Sequence, residues 1–524
     1  MNPIIMDKVA RGLSNVSMER LNGVIPDAAD ALKKRLDGFE KRSLVILLAL
    51  YFWDYIDGRQ ARKYAQQYRP FPIPAEGQSR FGSNDVSIIV PTVNWDTDLP
   101  ANLLTWLRCQ PREVIFVTTA ALQPKLINDF EATPDLKETM LERGINLRIF
   151  TVQKANKRSQ LCRGINAATG RIVALVDDDA KWTTKDVLKS LLAPFQNDDV
   201  GLVGGPIESY IPQERQRSDV ITGWEVAALR TRARRRGGNR AFFAADGSTN
   251  FTVSGLTMLL RTEIVQDPYF QFLFMHDMFQ GVRQNTGDDG FITRYVLFQH
   301  LLPHIEYSNF PEGRAWKLGM QFDPRATVQT SLLASSRFAD QSKRWFRSGL
   351  RLRLTCLLFE PGFSKFRQTA PYMSRKMMGG MLSPLFTYYR LYLWLMVWLL
   401  FPKIVLCLLL YVLYNYFFNL QAFYKEFPYV GKKIWAAVVA DHLYFVTDIY
   451  SWLTLPLESW SNRSSPTASV VTQAPVAQAP VMGQVPTELN PVPFTSSTGV
   501  DLDGKIPYDK MAPQPLPTFN KWQF

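Results

Sequence analysis

The chain has 524 residues, 46% hydrophobic and only 20% charged, and Lys+Arg outnumber Asp+Glu 60 to 47 for a formal charge of +13. That much apolar surface excludes a disordered chain, and the length allows two to four folding units of about 100–200 residues each. Four scattered cysteines exclude a disulfide scaffold, and with no Cys-x-x-Cys pair they offer no thiolate zinc site.

Residues 1–42 form an N-terminal segment, and residues 43–57 read as a short membrane anchor. The apolar run there (SLVILLALYFWDYI) lies too far into the chain for a cleaved signal peptide. Residues 81–375 read as a soluble α/β unit. Short buried strands are expected at 86–90, 113–117, 147–152 and 171–176, with helices over 99–108 and 125–144 between them. Strands alternating with helices imply a mostly parallel sheet. Residues 382–420 hold only Arg390 and Lys403 as charges, with Pro402-Lys403 dividing two runs that each approach the ~20 residues of a membrane span. A transmembrane hairpin is expected. Residues 434–457 are apolar but contain Asp441, His442 and Asp448, and read as a third span. The Pro-, Gln- and Ser-rich tail, 462–524, reads as disordered. Arg230, Arg232, Arg234, Arg235 and Arg236 form a basic cluster suited to anionic lipid headgroups, or a solvated face, rather than to nucleic acid.

Four local patterns in the α/β unit carry chemistry. The strand Val86-Ser-Ile-Ile-Val ends in Pro91-Thr92, and ligands of open parallel sheets sit at such carboxyl ends. The buried strand 171–176 delivers Asp177-Asp178-Asp179. Asp177 and Asp179 point to one side of an extended segment, which suits a hard divalent cation bridged to phosphate, or else a solvated acidic turn. Upstream, Lys154, Lys157 and Arg158 suit a pyrophosphate or a plain basic loop. Asp288 and Asp289, after Thr286-Gly287, stand before an expected helix, as caps or with one acting as general base. Gln341, Arg344 and Trp345 combine an amide, a guanidinium fork and a flat ring, fit for phosphate and sugar or for an interfacial helix near 341–360. His300 and His304 lack the intervening glutamate and unbroken helix of a zincin.

Taken together these patterns resemble the processive, membrane-bound family 2 glycosyltransferases, the hyaluronan, chitin and cellulose synthases, and in particular their fungal type 2 branch. The DxD motif matches Asp177–Asp179, the T/G-E/D-D motif matches Gly287-Asp288-Asp289, and QxxRW matches Gln341, Arg344 and Trp345. The resemblance implies a GT-A-like, Rossmann-related cytosolic domain carried by α-helical transmembrane segments. It implies Asp289 as the catalytic base, and Asp179 and Asp177 as ligands of Mg²⁺ or Mn²⁺. It places Pro91, Thr92, Lys157, Arg158, Asp177, Gln341 and Arg344 around a UDP-sugar donor. It places Asp288, Trp345, Ser254 and Gly255 on the acceptor side. Two departures stand out: the second strand runs on as Val114-Ile-Phe-Val-Thr-Thr119 without a terminal acidic residue, and Asn156 replaces a glycine before Lys157.

The expected product is a cell-wall or matrix polysaccharide, elongated at the cytosolic face of the plasma membrane and exported through a multi-pass bundle. The expected partners are a UDP-sugar, the growing polysaccharide and the bilayer, with no nucleic acid; the oligomeric state is open. One anchor before the catalytic unit and three spans after it would place both ends outside the cell, making Asn15 and Asn462 the glycosylation acceptors and leaving Asn250 unmodified. Two alternatives stand beside this reading: a single-addition transferase making a glycolipid, like the ceramide glucosyltransferases, and a non-catalytic membrane scaffold.

Overall fold

The computed structural model describes residues 18–75, 77–93, 98–236, 238–301 and 314–457. Asn15, Asn462 and the tail 462–524 lie outside the described residues. In chain order the strands are β1 (Val86–Pro91), β2 (Glu113–Thr119), β3 (Asn146–Val152), β4 (Ile172–Val176), β5 (Ala180–Trp182) and β6 (Val200–Gly204). They continue as β7 (Ile207–Tyr210), β8 (Thr257–Arg261), β9 (Met278–Phe279), β10 (Val282–Arg283), β11 (Lys317–Met320) and β12 (Val328–Ser331).

The main sheet has the order β11-β6-β8-β4-β1-β2-β3, parallel throughout except that β8 runs antiparallel between β4 and β6. This is the mostly parallel sheet expected from the alternating pattern. Its strands are Val- and Ile-rich because both faces are covered. Along β1 the side chains alternate: Ile89 joins one core with Ile115, Val117 and Leu175, whereas Ile88 and Val90 join the other with Trp106, Val114 and Phe116. Helix Lys157–Ala167 lies close on the first face at Gly164, where an added Cβ would come 2.5 Å from Ile89 Cγ2. A smaller sheet, β5-β12-β7, hangs from the carboxyl end of β4.

Two expected elements differ in extent. The helix anticipated over 125–144 is broken into Gln123–Glu131 and Pro134–Arg143, because Pro134 cannot donate to the preceding turn and starts a new helix instead. The apolar run in 43–57 is no separate element but the middle of a 50-residue helix, Met18–Gln67, whose end (RQARKYAQQ) consists of good helix formers.

After the sheet come helices Arg337–Leu358, Pro371–Leu400, Pro402–Glu426 and Trp435–Leu453. Phe401-Pro402 divides the second from the third, at the place the sequence marks. Among the described residues one helix, Pro402–Glu426, is long and apolar enough to cross a membrane by length and composition, and it is almost entirely exposed. The long N-terminal helix packs alongside Pro371–Leu400: Leu47 is buried with Leu393, Val397 and Val405, and Asp57 pairs with Arg375 and Lys376. Past that helix the chain straps onto the α/β unit. Tyr68 Oη donates to Met320 O (2.9 Å) and accepts from Phe322 N (2.8 Å), and the Gln321 amide bonds both Phe71 N and Phe71 O.

Asp441, one of the charged residues in Trp435–Leu453, has protein partners. Asp441 accepts from Arg230 (2.8 Å), Arg234 (2.9 Å) and Tyr416 Oη (3.2 Å). Two members of the basic cluster expected to face lipid therefore face a carboxylate. A buried charge is tolerated when it is paired. Side-chain exposures of 10% for Arg230 and 7% for Asp441 make this a desolvated pair. Asp441→Ala is expected to cost about 3–5 kcal/mol by stranding Arg230. Thermal unfolding in detergent would show it, and Asp441→Leu with Arg230→Met should recover most of the loss.

Candidate active site

The sheet's connections change direction at β1: β2 and β3 build outward on one side and β4 on the other, so a crevice opens at the carboxyl ends of β1 and β4. Thr92 and Asp177–Asp179 emerge there. The aspartates form a tight turn, with Asp177 N donating to Leu256 O (3.1 Å) and Ala180 N to Asp177 O (3.0 Å). Each carboxylate meets a different partner. Asp177 Oδ1 lies 2.8 Å from Lys157 Nζ, Asp178 Oδ2 accepts from Thr92 Oγ1 (2.6 Å), and Asp179 Oδ2 accepts from Thr330 Oγ1 (2.8 Å). Thr330 escaped the sequence reading: nothing marks one threonine in a short strand, and only the pairing of β12 with β5 brings it here.

Burial and the neighbouring charge of Asp177 push the Asp179 carboxyl up, and Thr330 and Arg232 only partly oppose them. A buried carboxyl beside a second carboxylate forms a donor set that a cation would relieve. Among the described residues no three His, Cys, Asp or Glu side chains form a self-sufficient metal site. A pair of carboxylates suits an ion that completes its shell with substrate oxygens and water. Thr330→Val removes a hydrogen bond to a charged group, worth about 1.5–3 kcal/mol. It should weaken Mn²⁺ binding at the aspartate turn, as read by calorimetry, and lower the melting temperature in metal-free buffer.

Lys157 also binds Asp288 Oδ2 (3.0 Å), so one ammonium bridges the first and second acidic motifs. Helix Asp288–Phe298 starts after Gly287, whose φ of +72° is the left-handed conformation that favours glycine. Thr293 Oγ1 donates to Asp289 O (2.8 Å) and accepts from Val253 N (2.9 Å), which holds the 252–255 loop against the helix. The paired aspartates differ in character. Burial raises Asp288, but the Lys157 charge, the Lys157 hydrogen bond and the Arg158 charge together outweigh it, and the carboxyl stays below its ordinary range. For Asp289, burial and then the Asp288 charge prevail, and its carboxyl is pushed up to about 6. A carboxylate tuned this way serves as a proton acceptor near neutral pH.

Helix Arg337–Leu358 roofs the crevice. Gln341, Arg344 and Trp345 all line one cavity of about 1020 Å³ together with Lys157, Asp177–Asp179, Ser254, Gly255, Asp288 and Asp289. That volume sits at the upper end of the ~300–1,000 Å³ of small-ligand sites. Ser348 Oγ donates to Thr286 Oγ1 (3.3 Å), and Arg351 Nη1 donates to Gln284 Oε1 (2.9 Å), so the roof also grips the segment before Gly287. Toward the apolar helices the cavity reaches Tyr444 and Arg353, whose Nη1 donates to Gly380 O (3.3 Å).

Some expected donor residues sit elsewhere. Arg158 is buried away from the cavity, donating to Phe274 O (2.7 Å), Asp277 (2.9 Å) and Thr286 O (3.2 Å). It faces the interior because Lys157 and Arg158, adjacent on a helix, point about 100° apart. Lys154 is exposed outside the site. Pro91 borders only a small recess beside Lys157, and Thr92 acts on Asp178 without lining the main cavity. Asn156, in place of the glycine, caps helix Lys157–Ala167 by accepting from Ser159 N (3.1 Å). Asn250 lines the cavity wall.

Residues 84–300, the span from β1 to the helix after Gly287, match the family described as Glycosyltransferase like family 2. The NDP-glycosyltransferase ltbB of Aspergillus luteorubrus is 30% identical over 429 residues, 81% of this chain and 99% of that protein. A type 2 glycosyltransferase of Zymoseptoria tritici is 34% identical over 56% of this chain and 55% of its own length, so the chain spans about half of that relative. Among solved structures, the mannosyltransferase PcManGT of Pyrobaculum calidifontis, in complex with GDP-Man and Mn²⁺, is similar at 15% identity and a TM-score of 0.46, over 78% of this chain and 99% of that one. Sheet, crevice and relatives together define a glycosyltransferase with a GT-A-like α/β fold. The chain belongs to glycosyltransferase family 2.

Proposed function

We propose that the enzyme transfers a sugar from a nucleoside diphosphate, UDP in the first instance, to a growing polysaccharide by inverting single displacement at the cytosolic face of the plasma membrane, and passes the product outward. The observation that carries the chemistry is the asymmetric pair Asp288/Asp289 in one cavity with Asp177, Asp179 and the Gln341–Arg344–Trp345 face. Asp289 takes the proton of the acceptor hydroxyl as that oxygen attacks the anomeric carbon. Lys157 holds Asp177 and Asp288 in place, and Gln341 and Arg344 bind the diphosphate. Trp345 supplies a ring for the acceptor sugar, beside Ser254 and Gly255. Asp177 and Asp179 would hold Mg²⁺ or Mn²⁺, which offsets the charge appearing on the departing diphosphate. The roof helix excludes water that would otherwise hydrolyse the donor.

Membrane residence is supported by the exposed apolar rows on the long helices, among them Phe52, Trp53, Leu395, Leu399, Leu413 and Phe417. Export is supported by the contact of the cavity with Tyr444 and Arg353 next to those helices. A second reading, a single addition making a glycolipid, stands beside it: the relative matched over 99% of its length is named as an NDP-glycosyltransferase, a name that specifies no polymer.

The deciding experiment is nucleotide release by the full chain in nanodiscs across UDP- and GDP-sugars with Mn²⁺ or Mg²⁺, followed by sizing of the product. Metal-dependent release with long product supports the polymerase. Release with a singly glycosylated lipid establishes the second reading. No release with any donor, from folded protein, rejects both.

A further inference from the structure

Helix Gly223–Arg236 carries arginines on opposite sides. Arg230 and Arg234, four apart, share the face that meets Asp441. Arg232, two residues from each, lies about 200° around the helix and points the other way. There it lines the catalytic cavity with Asp177–Asp179, its guanidinium carbon 5.0 Å from the centre of the Trp345 ring. Arg344 lines the same cavity from the roof helix. Two guanidinia from separate elements thus line the cavity that holds the aspartate turn.

The position is held from behind. The paired contacts of the buried Arg230 with the Asp441 carboxylate fix the rotation of the helix, and that rotation fixes where Arg232 points. In front, the Trp345 ring presents a flat face beside which the Arg232 guanidinium is held. A planar cation aimed at a site that takes phosphates makes two parallel hydrogen bonds to phosphate oxygens, which an ammonium cannot copy. An ion pair with Asp179 alone would also attract a cation to this wall, and the test below separates that role from phosphate binding.

We propose that Arg232 binds the donor's diphosphate, facing Arg344 across it, and holds that charge as the nucleotide departs. This rests on the nucleotide-sugar reading of the cavity. The motif that brings Arg344 and Trp345 to the site does not include Arg232, which arrives from a helix far upstream and is aimed by Asp441 from far downstream.

The test is calorimetry on the full chain in nanodiscs with Mn²⁺, titrating UDP, GDP, uridine and guanosine. The readout is the ratio of nucleoside diphosphate to nucleoside affinity for whichever base binds. Arg232→Gln is expected to lower that ratio about tenfold with the nucleoside affinity unchanged. Arg232→Lys keeps a charge but loses the fork, and should fall between it and the wild type; it carries the test if the glutamine variant does not fold. Arg234→Gln, on the opposite face, should leave the ratio unchanged. A wild-type ratio in both Arg232 variants overturns the inference and leaves the functional reading intact. An equal fall in Arg234→Gln overturns direct contact, because the effect then comes from the helix as a whole. Binding of neither diphosphate by the folded wild-type protein overturns the nucleotide-sugar reading, and the inference with it.

Discussion

Asp289→Asn is expected to lower kcat by about 10²–10⁴, the range a positioned general base supplies, while the affinity for the nucleoside diphosphate stays within about twofold. The separation follows from geometry. Asp289 is the proposed acceptor-side base, and its substitution leaves the Gln341 and Arg344 face of the cavity unchanged. The pH dependence has a definite sign. With its carboxyl pushed up to about 6, Asp289 is ionised and competent above that pH and protonated below it. The wild-type kcat/KM should therefore fall on the acid side with an apparent pKa near 6. A second consequence runs opposite to activity. A carboxyl whose folded pKa lies above its unfolded value destabilises the fold once ionised, so the variant should melt at a higher temperature than wild type at pH 7 without metal. Loss of turnover together with a lower melting temperature would mean that the substitution had broken the site rather than removed its base.

Asp179→Asn is expected to abolish metal-dependent donor binding and to cut turnover about 10³-fold, corresponding to about 4 kcal/mol of lost charge stabilisation. The amide keeps an oxygen for Thr330 Oγ1 and nearly the same shape, so the turn after β4 should survive. What disappears is one of the two charges that face each other. With Asp177 alone, the pair no longer gains from a divalent ion. A Mn²⁺ titration followed by calorimetry with UDP would read this directly. Undiminished Mn²⁺ dependence in the variant would show that the ion sits elsewhere. Asp178→Asn should be far milder, because Asp178 is tied to Thr92 and Asn102 and serves the turn.

The strands and the acidic turn were legible in the sequence for a simple reason. A run such as Ile172–Val176 followed by three aspartates states both its burial and its end in adjacent residues. Gly287 was legible as part of a motif, and its left-handed backbone supplies the reason a glycine stands there. Thr330 and Arg232 were not legible, because their importance comes from pairings between segments distant along the chain. Arg158 misled for the opposite reason: it adjoins Lys157 in the chain, yet the helix turns it toward Phe274 and Asp277. The basic run from Arg230 suggested a charged surface, and no one-dimensional pattern announces that Asp441 will meet it. The broken helix at Pro134 could have been read from the proline itself, while the continuity of Met18–Gln67 through the apolar run depends on good helix formers on its far side.

The strap from Tyr68 to Met320 and Phe322 sets a timetable for biosynthesis. Its two halves are 252 positions apart in the chain. At about 5–20 residues per second of translation, roughly 12–50 s separate their appearance. Through that interval the rim of the sheet that Tyr68, Phe71 and Gln321 will close has no partner for its polar groups, while the N-terminal helix with its apolar run has already been made. Handing that helix early to a lipid or chaperone surface would keep it from the half-built sheet, and the catalytic unit would then close only once β11 left the ribosome.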